Sequence, residues 1–67
     1  MYGNLDEPKI EKIAVRFFEQ HHDVHNVKVI GFENGIWLVE GEISSSSGKR
    51  IRKLKIDDKT GMIIDVE

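Results

Sequence analysis

Asn34-Gly35 stands between two stretches of alternating character, VKVIGF and IWLVEGEI. A two-residue type I′ turn needs φ > 0 at both central positions, and Asn-Gly tolerates this better than almost any other pair. The dipeptide therefore predicts a β-hairpin and fixes its register. Glu33 faces Ile36, Phe32 faces Trp37, and Ile30 faces Val39. Strict alternation from that register puts Ile30, Phe32, Trp37, Val39 and Ile43 on one face of the sheet.

Upstream the period is helical. Ile10, Ile13, Ala14, Phe17 and Phe18 recur at the spacing of one buried helix face. Glu11, Lys12, Arg16, Glu19 and Gln20 fill the other side. Asp6 or Glu7 supplies a cap, and Pro8 falls in the first turn, where its missing N–H costs nothing. A helix is expected from about residue 7 to residue 22, after a loose lead-in over residues 1–6.

Downstream, SSSSG at 44–48 predicts a flexible hairpin loop, and RIRKLKI at 50–56 predicts a third strand. DDKTG then turns the chain, with Gly61 in the left-handed position, into a last strand MIIDV at 62–66. By parity Leu54, Ile56, Met62, Ile64 and Val66 point to the side of Trp37. Lys53, Lys55 and Asp65 point away. The expected fold class is α+β: one N-terminal helix packed on a four-stranded antiparallel meander sheet, in the order α-β-β-β-β. The 67 residues form a single domain, 1–67.

A domain this short buries only about 60% of its unfolded surface. It has no cysteine, so packing or self-association must hold it without disulfides. Its 39% hydrophobic and 33% charged residues suit a globular chain. A net charge of −2 gives no global attraction to nucleic acid or anionic membrane. No segment approaches the roughly 20 apolar residues of a membrane span, and MYGNLDEPK has no apolar signal-peptide core. A cytoplasmic location is the default expectation.

All three histidines, His21, His22 and His25, fall in one stretch. Spacings of four and three could bring imidazoles together on a helix reaching residue 25. Yet the zincin order of His followed by Glu is absent, and no other His or Cys offers a third ligand. Cationic side chains on a last helical turn, favourable with the helix dipole, are the preferred reading. Metal binding is the alternative. Lys49, Arg50, Arg52, Lys53 and Lys55 hold five of the ten Lys and Arg residues. Strand parity divides them between two faces and sets Glu40 and Glu42 beside the lysines, which disfavours nucleic-acid binding, the second alternative. Asp57 and Asp58, in a turn with Thr60, are expected to bond their own backbone. Trp37 is expected in the core. No catalytic, cofactor-binding or metal-ligating residue is assigned, and no enzyme activity or cofactor is expected.

The face away from the helix is more apolar than a solvated sheet requires. Val27, Val29, Ile36, Leu38, Ile51 and Ile63 all fall there by parity. Val29, Ile36, Leu38, Ile51 and Ile63 are the candidate partner face, for an unidentified protein or peptide or for a second copy of the chain.

The helix containing IEKIAVRFF, the NG turn, the strand IWLVEGEI and the closing KIDDKTGMIIDV together resemble the PepSY domain over residues 8–67. That family typically ends in a strand, an Asp, a TG turn and a short apolar strand, and Asp57, Thr60 and Gly61 match best. The resemblance implies a small helix-plus-sheet fold and a non-enzymatic role, binding or restraining peptidases or regulating at the cell envelope. It brings no catalytic residues. The leading expectation is a small protein-binding or regulatory domain.

Overall fold

The computed structural model describes residues 6–67. The fold is α+β: helix α1 (Glu7–Glu19) precedes strands β1 (Asp23–Glu33), β2 (Ile36–Ser45), β3 (Gly48–Asp57) and β4 (Ile63–Val66). Each strand pairs antiparallel with the next, in the order β1-β2-β3-β4. Residues 1–5 of the expected lead-in lie outside the described residues.

Asp6 caps α1, its carboxylate accepting the Lys9 backbone N–H at 3.1 Å, and Pro8 sits in the first turn. The helix stops at Glu19, three residues before the expected boundary. The N–H groups of His21 and His22 both turn back to the Phe18 carbonyl, at 3.3 and 3.0 Å, and β1 begins at Asp23. Ile10, Ala14 and Phe18 are buried together with Val39, Ile43, Leu54 and Ile56. Each fully buried aliphatic side chain contributes about 1.5–3 kcal/mol of transfer free energy. Phe18 needs a flat floor, and Gly41 supplies it. A β-carbon at Gly41 would collide with the Phe18 ring.

Three register shifts decide which side chains face the helix. Val24 pairs with Ile43, but Asn26, not His25, pairs with Glu42; Val29 pairs with Val39, and Gly31, not Ile30, with Leu38. Asp65 pairs with Lys55, and Ile63, not Ile64, with Ile56. Each bulge inserts one residue and reverses the alternation beyond it. Val29, not Ile30, therefore faces Val39. Val27, Val29 and Ile63 pack against the core, contrary to the parity expectation. Ile64 and Met62, expected inside, are exposed.

The loops are tighter than the composition suggested. Ser45 pairs with Gly48, leaving only Ser46 and Ser47 in the β2–β3 turn. Gly48 adopts φ 118, and the Ser45 and Ser47 hydroxyls lie 3.0 Å apart. In the β3–β4 turn Asp57 Oδ2 accepts from the Thr60 N–H at 3.0 Å and its hydroxyl at 2.7 Å. Gly61 takes the left-handed position with φ 75. No helix among the described residues is long and apolar enough to cross a membrane.

Candidate functional site: the apolar tip of the first hairpin

Asn34 and Gly35 adopt φ 55 and 77, the left-handed pair that a type I′ turn demands. Just before the turn, the bulge at Ile30 swings the strand outward. Ile30, Gly31, Phe32, Ile36 and Leu38 then line a shallow groove of about 550 Å³, with Glu33 and Lys55 at its rim. Ile30 is 41% exposed and Phe32 52% exposed, while Ile36 and Leu38 are half-buried. Phe32 is held by its neighbour: its ring centroid lies 4.5 Å from that of Trp37, tilted by 45°. Phe32 pairs with Trp37, so its ring stands on the α1 side of the tip, while Ile36 and Leu38 open to the opposite face. Apolar side chains left open to water at the tip are the chemistry of a docking surface.

The tip is braced from the far side of the sheet. Trp37 Nε1–H donates to Asp58 Oδ1 at 2.7 Å, and the Asp58 backbone N–H donates to the Gly35 carbonyl at 2.9 Å. Asp58 is only 5% exposed. Asp57 does bond its own turn, but the Asp58 side chain reaches across to Trp37 instead. The first and last hairpin turns are thereby tied into one end of the molecule.

Of the five residues expected to form a partner face, the structure leaves three in place. Ile36, Leu38 and Ile51 lie on the face away from α1, opposite Asp57, Lys55 and Glu42 in the ladder. Val29 and Ile63 do not: the bulges turn both toward the helix, where they pack on the core. Ile30 and Phe32 were missed as surface residues. Gly31 was the available signal, because an isolated glycine inside a strand often marks a bulge.

The histidines separate. His21 is exposed and His22 half-buried in the turn after α1, their ring centroids 6.5 Å apart. His25 is already in β1, where its Nε2 is bonded to Ser44 Oγ at 2.8 Å. Among the described residues no group of three or more His, Asp or Glu side chains is arranged to hold a metal. The half-buried His22 side chain carries an Nδ1 that is buried without a hydrogen-bond partner among the described residues.

The basic strand divides as its parity predicted. Lys53 and Lys55 stand opposite Glu40 and Leu38 on the open face, and Lys28 flanks Glu40 from the other side. Arg52 and Arg50 stand opposite Gly41 and Ile43, on the helix side. Arg52 Nε–H donates to the Glu67 carbonyl at 2.6 Å.

No family model, curated protein or solved structure matches the chain.

Proposed function

We propose that this chain is a small non-enzymatic protein-binding or regulatory domain of PepSY-like character, which docks a protein partner through the tip of its first hairpin. The observation that carries this reading is the groove of Ile30, Ile36 and Leu38 on the face away from α1, at a braced tip whose other face carries the half-open Phe32 ring. The order of elements and the closing KIDDKTGMIIDV support the family resemblance, and with it a partner such as a peptidase held in check. A second copy of the chain is the other occupant that the same surface suits.

Sedimentation velocity over a concentration series, with the wild type and Leu38→Lys, tests the self-association form. Capture from source-cell lysate by the same two proteins tests the heterologous form. The reading expects either a concentration-dependent dimer or a discrete captured protein, lost in Leu38→Lys while the unfolding midpoint holds. A monomeric wild type that captures the same proteins as Leu38→Lys overturns it.

A further inference from the structure

The fourth strand covers only part of β3. Its pairs run from Ile56 to Leu54, and the chain adds one more pair where Lys53 and Glu67 exchange N–H···O bonds of 3.3 and 2.8 Å. In an antiparallel ladder, alternate residues direct both backbone groups to the same neighbour. Lys53 directs its pair outward, to Glu67. Ile51 and Lys49 share its parity, so their N–H and C=O groups also point outward. No strand of the described residues pairs with β3 there. Among the described residues this leaves a short, regular strand edge with its hydrogen-bonding groups open. The outer edge of β1 is less regular, because bulges at His25 and Ile30 interrupt it.

Charge decides what fits the open edge. It carries Lys49, Arg50, Arg52 and Lys53 in succession, separated only by Ile51. On its helix side Arg50 and Arg52 line a hollow of about 230 Å³ with His22, Ile43, Ser47 and Gly48, and no residue lining it is acidic. The unpartnered Nδ1 of His22 belongs to the same side chain. Two copies of this edge pairing with each other would set cations against cations, which is unfavourable between directly facing strands.

We propose that the outer edge of β3, from Lys49 to Arg52, takes up an extended acidic peptide as an added antiparallel strand in line with β4. The peptide backbone bonds to Ile51 and Lys49, and its carboxylates opposite Arg50 and Arg52 enter the hollow beside His22. Strand addition of this kind draws affinity from main-chain bonds and specificity from alternate side chains. This edge lies at the end of the sheet away from the Asn34-Gly35 tip, so its occupancy is separable from binding at Phe32 and Leu38.

The test uses an end-capped synthetic peptide of alternating glutamate and threonine, with the lysine–threonine peptide as its control. Amide chemical shifts and hydrogen exchange of the whole chain are followed at low ionic strength. The expected result is saturable shifts centred on Lys49 to Arg52, slowed exchange at the Ile51 and Lys49 amides, and no binding of the lysine peptide. Arg50→Glu, an exposed position, should weaken the complex about tenfold or more. Ile51→Pro removes an outward N–H, which an edge strand tolerates, so it should fold and fail to bind. Equal binding of both peptides overturns the proposal. So do shifts centred elsewhere, wild-type affinity in Arg50→Glu, or an unfolded Ile51→Pro, which would place that N–H in the ladder to β2.

Discussion

The indole N–H of Trp37 meets Asp58 Oδ1 at 2.7 Å, joining the start of β2 to the β3–β4 turn through a nearly buried carboxylate. A hydrogen bond to a charged group is worth about 1.5–3 kcal/mol, and a buried carboxylate left without its donor pays its full desolvation cost. Asp58→Ala should therefore lower stability by about 1.5–3 kcal/mol. Trp37→Phe should cost at least as much, since it strands the carboxylate and narrows the support of Phe32. The double variant should lose less than the sum of the two, as residues in direct contact do. Urea unfolding at neutral pH measures all three.

Gly41 is fixed by the ring above it rather than by its backbone angles. Gly41→Ala brings a methyl group into the Phe18 ring and should cost about 1–3 kcal/mol, the usual penalty of overpacking. The same substitution in a Phe18→Leu background should cost clearly less, because the clashing ring is gone. Equal costs in both backgrounds, read from urea midpoints, would contradict the close approach of α1 to β2.

The bulge at Ile30 makes a sharp distinction between neighbours. Val29 packs on the core and Ile30 is partly exposed. Val29→Asp buries an unpaired charge and should destabilise by about 2 kcal/mol or more. Ile30→Asp should stay within about 0.5 kcal/mol, as surface changes do. Without the bulge the order of the two effects reverses. Thermal and urea unfolding of the pair decide it.

That distinction also marks how far the sequence could be read. The helix stripe from Ile10 to Phe18, a cap at Asp6 or Glu7, the Asn34-Gly35 turn and the meander order were all legible, because each depends on local chemistry or a fixed period. The faces of β1 and β4 were not, beyond the first inserted residue. Alternation is a count, and a bulge of one residue inverts every position after it. Strict alternation therefore puts Val27, Val29 and Ile63 on the wrong face and Ile30 inside, whereas Phe32 keeps its expected place opposite Trp37 and is nonetheless exposed. The Trp37–Asp58 bond spans 21 residues and no local rule points to it. The short SSSSG turn was misjudged because composition alone does not count the residues left unpaired.

The histidines make a plain prediction about metal. His25 is bonded to Ser44 in β1, and His21 and His22 sit in the turn that ends α1. Equimolar Zn²⁺ should leave the three imidazole resonances unmoved at neutral pH. Their joint displacement, with one stoichiometric equivalent bound, would contradict the separation of the three side chains.

The binding role of the hairpin tip is tested most directly by cross-linking from within it. A photoreactive benzoylphenylalanine placed at Leu38, and for comparison at exposed Lys12 on α1, is illuminated in source-cell lysate. The products are read by mass spectrometry. A discrete adduct from Leu38, either a second copy of the chain or one partner protein, and none from Lys12 is the predicted result. The same diffuse products from both positions, or no adduct from Leu38, would contradict a partner surface at the tip.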